Sequence, residues 1–344
     1  MSKDRHHHYV AAFHLAHFTR TGSQEGRFSV FDLHKQATWK TTPKGAGNER
    51  DFYRVDAEGI DPLAIEKDFL NNSIETPGAI AFKAILDAAR GTANAGMTSA
   101  FVDHNQLYAL LRFVAVQKVR GPDQRAMNDD LHTDLANGLL QAIAKNDALF
   151  EQRKGESPVP LGDMTREQFQ EAVDENPVRA EVGRTSQIQS AMQLVRTVLA
   201  NLITRAWKVC LSPPGAPSLV CTDRPVVILP PPNLPPGMPY YGLATPGAMV
   251  LMPLSRTAVL IGTSLVPPSD ERISVEYMPA GDVAELNTLI CASAHRYVYC
   301  ADENIVHVDE RGRIGGTKEL FESAATTMRE RERRASMPRK SGRR

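Results

Sequence analysis

The chain has little cysteine. Its 344 residues include only Cys210, Cys221, Cys291 and Cys300, and no two of them form a Cys-x-x-Cys pair. So sparse a set excludes a disulfide framework and a zinc site built on paired cysteines; it fits four buried thiols in a reducing compartment. Long apolar runs are missing as well. None approaches the roughly 18 residues that a membrane helix needs, and the opening MSKDRHHH has no apolar stretch behind it to make a signal peptide. The expected location is therefore the cytoplasm, with no membrane partner. No P-loop and no Gly-x-Gly-x-x-Gly occurs, so a nucleotide cofactor has no support. Ser255 stands outside any Gly-x-Ser-x-Gly elbow, which argues against a hydrolase nucleophile there. His-Glu-x-x-His is absent, and so are internal repeats.

Excess charge is missing too, with 40 basic and 40 acidic residues. The balance is uneven, however. The last sixteen residues, RERERRASMPRKSGRR, hold eight Lys or Arg against two Glu, so the remainder is mildly acidic. That is not the profile of a dedicated nucleic-acid binder, although such a tail could touch an anionic surface. Residues 1–320 are read as one composite domain and 321–344 as a basic, solvated tail.

What is present is a change of pattern along the chain. Residues 27–33 alternate as a strand, and 40–50 are rich in Gly, Pro and Thr and read as a loop. Helices follow: one from Asp61-Pro62, a second from Thr76-Pro77, a third capped at Thr98 or Ser99, and a fourth reaching about residue 150. Thr165-x-x-Gln168 is a capping-box pattern, and residues 186–207 carry a continuous apolar face. Beyond 207 the segments 207–211, 218–229, 248–252, 257–262 and 272–277 are short, apolar and β-branched, and 281–298 return to helical spacing. The expected fold class is α+β, a mainly helical N-terminal two-thirds on a C-terminal antiparallel sheet closed by a C-terminal helix.

Five of the ten histidines lie in HHHYVAAFHLAHF, residues 6–18. His7 and His14 are two helical turns apart and His14 and His17 three residues apart, so a helix here would present imidazoles together, with His14 and His17 on its polar side. Several further stretches stand in a recognisable order: His7-His8-Tyr9-Val10; Asp51-Phe52-Tyr53; Ile65-Glu66 and Ile74-Glu75; Gln117-x-x-Arg120-x-Pro122-x-x-Arg125; Thr222-Asp223-Arg224-Pro225; Pro253-Leu254-Ser255; Leu286-Asn287; and Arg296-Tyr297. Together they resemble the bacterial family known as domain of unknown function 4238. The resemblance departs at Ala11, where that family usually has Pro. It implies no activity, but it selects the polar residues to weigh.

His7 and His8 are candidates for a general base or a metal ligand, or for ring nitrogens that pin the N-terminal segment. Glu66 and Glu75, nine residues apart, would turn about 900° on an α-helix and face opposite sides; Glu66 is then either an orienting carboxylate or a salt-bridge partner. Arg120 and Arg125 flank a Gly-Pro break and could converge as a bidentate anion clamp, or serve as helix-end charge and surface pair. Asp223, between SLVC and VVIL, is a base or metal ligand at a strand end, or accepts backbone amides across an irregular strand. No Glu-x-Lys follows it on the next strands, so the PD-(D/E)xK nuclease signature fails. Two functions stay open: a hydrolase or nuclease-like enzyme acting on an anionic phosphodiester, with a divalent metal as its one conceivable cofactor, or a non-catalytic binding or regulatory protein whose polar residues form a structural network.

Overall fold

The computed structural model describes residues 6–55, 61–156, 163–234, 241–265, 272–309 and 311–336. Cα packing divides the chain into two compact units, Met1–Gly121 with Met192–Arg344, and Pro122–Ala191. The first unit opens with β1 (His6–His8), α1 (Ala12–Ala16), β2 (Phe28–Asp32), β3 (Ala37–Thr41), β4 (Asn48–Arg50), a π-helix (Ile65–Glu75), α2 (Thr76–Asn94), β5 (Ser99–Phe101) and α3 (His104–Val119). The second holds α4 (Pro122–Ala144), α5 (Asp147–Glu156), α6 (Arg166–Glu175) and the start of α7 (Arg184–Leu202). The chain returns to the first unit through β6 (Arg205–Leu211), β7 (Cys221–Thr222), β8 (Val227–Leu229), β9 (Met249–Ser255), β10 (Ala258–Leu265) and β11 (Arg272–Tyr277). It ends in α8 (Asp282–Ser293), β12 (Tyr297–Cys300), β13 (His307–Val308), β14 (Ile314–Gly315) and α9 (Thr317–Ser336).

The fold is α+β, but strands run through the whole of the first unit and are not confined to the C-terminal third. One sheet has the order β5-β11-β6-β10-β9-β8 and another β3-β2-β12-β7, so residues 28–41 share a sheet with residues 297–300. The larger sheet is not purely antiparallel: β11 runs parallel to β6, with Val275 opposite Val209. Central strands such as β9 (MVLMPLS) are apolar almost throughout because both of their faces are covered. Phe31 of β2, Val298 of β12, Val259 of β10 and Leu251 of β9 meet Val283 and Ile290 of α8 in one core.

Two departures from the expected elements have clear causes. Ser99 does not cap a helix; β5 pairs with β11, Ala100 opposite Ile273, and the pairing overrides local cap preference. The helix starts at His104 behind Asp103, whose carboxylate accepts the amides of Asn105 and Gln106 at 2.9 and 3.2 Å. Upstream, Pro77 opens α2 as expected, but the turns before it form a π-helix. Proline has no amide for the i−4 carbonyl and its ring displaces that carbonyl, which favours wider i→i+5 bonding just ahead of it.

In the second unit the predicted capping box is present: Thr165 Oγ1 accepts the Gln168 amide and Gln168 Oε1 accepts the Thr165 amide. Asp129 of α4 accepts the Val182 amide and the Gln187 side chain, both at 2.9 Å. At the C-terminus, where a solvated tail is expected from 321, residues 317–336 are helical, and 337–344 lie outside the described residues.

Candidate functional site

The leading histidines are not on one helix. His6–His8 form β1, paired antiparallel with β4 so that His7 lies opposite Glu49, and only Ala12–Ala16 are helical. The strand wins because Gly47, with φ of +61°, turns the chain to place its carbonyl against the amides of both Tyr9 and Val10. His7 is fully buried. Its Nδ1 accepts the Tyr53 amide at 2.7 Å and its ring lies parallel to the Tyr53 ring. His8 is partly buried, and burial lowers its pKa; Glu75 opposes that shift and Arg120 adds to it, so the imidazole is neutral at pH 7.

Arg120 caps α3 and is buried. Nη1 reaches Glu75 Oε1 at 2.6 Å, and Nε donates to the Tyr9 carbonyl at 3.0 Å, which Gln117 also meets. Tyr53 donates its hydroxyl to the Arg120 carbonyl at 2.9 Å. Burial would lower the Arg120 pKa, but Glu75, Tyr53 and Glu66 together hold it above its ordinary value. Glu66 and Glu75 therefore act on the same guanidinium, contrary to the expectation that they face opposite sides. The cause is the π-helix between them: each residue turns the chain less than in an α-helix, so nine residues return toward one side. Arg125 lies on α4 in the other unit.

Asp223 follows β7 and is buried. Oδ1 accepts the His295 amide at 2.8 Å, and Oδ2 accepts the amides of Arg296 and Tyr297 at 2.7 and 3.0 Å. Burial raises its pKa above the ordinary carboxylate value, and the three amides oppose that rise. The same 295–297 segment is also held by Asp32, whose Oδ1 accepts Arg296 Nε at 3.1 Å and whose Oδ2 accepts Nη2 at 2.7 Å in a forked pair. Tyr9 joins the two regions: its carbonyl sits on Arg120, and its buried phenol is raised by burial and then by Asp223. An Asp223→Asn protein keeps one acceptor oxygen and turns an NH2 toward a backbone amide. Its denaturant midpoint should fall by the equivalent of about 2–3 kcal/mol with the slope unchanged.

The family model described as "Protein of unknown function (DUF4238)" matches residues 6–304. The chain belongs to this family. No curated protein and no solved structure matches it. Of the polar positions that carry the resemblance, His7, Glu66, Glu75, Gln117, Arg120, Asp223 and Arg296 fall into the contacts just described, and Asn287 adds another. This fully buried side chain donates to the carbonyls of Ser218 and Val306 and accepts the Val220 amide at 3.0 Å, fastening α8 to the strands. Among the described residues no three His, Cys, Asp or Glu side chains converge as metal ligands. The four cysteines are buried and free, and burial pushes the thiols up, Cys210 and Cys300 to about 12.

His14 is not on a polar face, whereas His17 borders a cavity with Lys83, Asp87 and Arg90. His14 is fully buried, Nε2 against the Pro253 carbonyl at 2.7 Å and ringed by Phe18, Phe82 and Phe113; burial drives its pKa to about 3. His17 stacks on Phe82, and burial, then Arg90, bring it to about 4. Beside His17 opens a cavity of about 520 Å³ between the end of α1, one face of α2 and the β9–β10 turn. The sequence reading passed over this place. The one available signal was Lys83, Asp87 and Arg90, whose 4- and 3-residue spacings put them on one side of α2.

Proposed function

We propose that this DUF4238 protein is a non-catalytic binding or regulatory protein, in which the residues that look catalytic lock the N-terminal segment and the strands together. One observation carries the reading: most polar atoms of these buried groups bond to each other or to backbone, and those left over, such as Arg120 Nη2 and His8 Nε2, are buried away from solvent. Arg120 is held by Glu75 and the Tyr9 carbonyl, Asp223 by three amides and His7 by the Tyr53 amide. A group that must meet substrate needs a free, reachable atom in a concave site; here the atoms without a hydrogen bond, Arg120 Nη2 and His8 Nε2, are out of reach of solvent. Buried polar networks of this kind specify one arrangement of a core. The four free, buried thiols fit a reducing compartment, and a bacterial cytoplasm is the setting we assign.

One observation favours the second reading, an enzyme acting on a phosphodiester. His8 Nε2, though buried, has no hydrogen-bond partner among the described residues, and the imidazole is neutral at pH 7, the protonation state of a general base. The test is direct. The full chain is incubated with DNA, RNA and bis-(p-nitrophenyl) phosphate, each with EDTA, Mg²⁺, Mn²⁺ or Zn²⁺. No turnover above blank is expected, with the His8→Ala protein indistinguishable from the parent. Turnover that disappears in His8→Ala would overturn the proposal and restore the enzyme.

A further inference from the structure

The cavity beside His17 stands apart from the polar network. Its wall carries Arg20, Lys83, Arg90 and Arg256 against one carboxylate, Asp87. Local pairing does not balance these charges. Lys83 takes Asp87, and Arg20 reaches Asp302 outside the cavity at 3.2 Å. Arg90 and Arg256 have no carboxylate partner among the described residues, although Arg256 is partly buried. Arg90 is exposed and Arg256 partly buried, so the cavity wall presents two cations that no carboxylate among the described residues pairs, open to an anion from solvent.

The position of Arg256 is built. Its amide donates to the His17 carbonyl at 3.1 Å, and the Pro253 carbonyl of the same hairpin receives His14 Nε2. The turn is thus clamped onto α1, and Arg256 is carried to the cavity by the core. Arg90 arrives from α2, whose opposite face packs Phe82 and Ile85 into the interior. His17 already senses the positive field, since Arg90 is the charge that most lowers its pKa after burial itself.

We infer that this cavity is the ligand site of the protein and takes a small phosphate-bearing molecule, with Arg90 and Arg256 as its bidentate partners. Guanidinium forks match phosphate oxygens in geometry and charge. The volume suits a compact ligand, and Phe13 and Leu86 supply an apolar wall for an organic body. The inference rests on the binding reading above and gives it a site and a ligand class.

Pyrophosphate and ribose 5-phosphate are titrated separately into the full chain by calorimetry and thermal shift, with sodium chloride at equal ionic strength as control. Binding of at least one is expected; the tighter of the two tells an inorganic ligand from a phosphate ester. In the Arg90→Gln/Arg256→Gln protein the Kd should rise at least tenfold. Arg90→Gln alone, an exposed substitution, should raise it several-fold and serves if the double variant does not fold. No response beyond the chloride control, or the same Kd in Arg90→Gln and in the parent, would overturn the site. Released inorganic phosphate is followed in the same samples: its appearance would refute the non-catalytic reading while leaving the site standing, and absent binding would remove the site while leaving that reading standing.

Discussion

An Arg120→Met protein is expected to lose about 3–5 kcal/mol of unfolding free energy, the usual cost of removing one partner from a buried ion pair. The substitution leaves Glu75 and Glu66 facing a side chain of similar length with no charge, and it withdraws one donor from the Tyr9 carbonyl. An Arg120→Lys protein should recover only part of the loss. A lysine head cannot meet Glu75 and the Tyr9 carbonyl at the two angles that the guanidinium spans. The informative partner is Glu75→Met/Arg120→Met, which removes both charges and should be more stable than Arg120→Met alone. Urea unfolding of the three proteins checks this. A loss under about 1 kcal/mol for Arg120→Met would show that the pair contributes as little as a surface salt bridge.

The second large effect is in acid. His14 and His17 titrate near 3 and 4 in the folded chain against an ordinary 6.5. Their folded pKa values are depressed, so below pH 6.5 the unfolded chain binds protons that the folded chain refuses. The contribution is complete above pH 6.5 and falls away as the pH drops toward 4 and then 3. Linkage puts the loss at pH 5 at about 2 kcal/mol for each histidine relative to neutral pH. A His14→Gln protein can still donate to the Pro253 carbonyl but has no proton to gain. Its stability between pH 7 and 5 should fall by about 2 kcal/mol less than that of the parent. Parallel curves for the two proteins would mean that His14 does not stay neutral in the core.

How much of this was readable in advance depends on the range of the forces involved. The Thr165–Gln168 capping box and the proline start of α2 are set by neighbours in sequence, and both stand where the pattern put them. The helical spacing of His7, His14 and His17 was misleading because it took one element for granted. The turn at Gly47 pairs β1 with β4, and the seven-residue spacing of His7 and His14 then carries no meaning. Glu66 and Glu75 were misjudged through an α-helical period where the chain adopts a π-helix. For Asp223, one of the two alternatives drawn from sequence, acceptance of backbone amides at an irregular strand, is the geometry found. Its donors lie over seventy residues away, so no local pattern could choose between the two. Arg205 shows the same limit: the helical pattern expected over 186–207 includes it, yet it opens β6 and is buried, with its guanidinium on the carbonyls of Leu243, Ala248 and Thr263.

The sheet ordered β3-β2-β12-β7 has a consequence for how the chain comes off the ribosome. Until residues 297–300 are synthesised, β2 has only β3 beside it. A lone hairpin of this kind is marginal in water, and its other edge is an open invitation to foreign strands. Nascent chains must therefore wait, collapsed but unfinished, through most of translation before β12 slides in between β2 and β7. The stretch shared by the DUF4238 family stops at 304, four residues after that strand ends. The matched stretch thus takes in all four strands that this sheet needs before it can close.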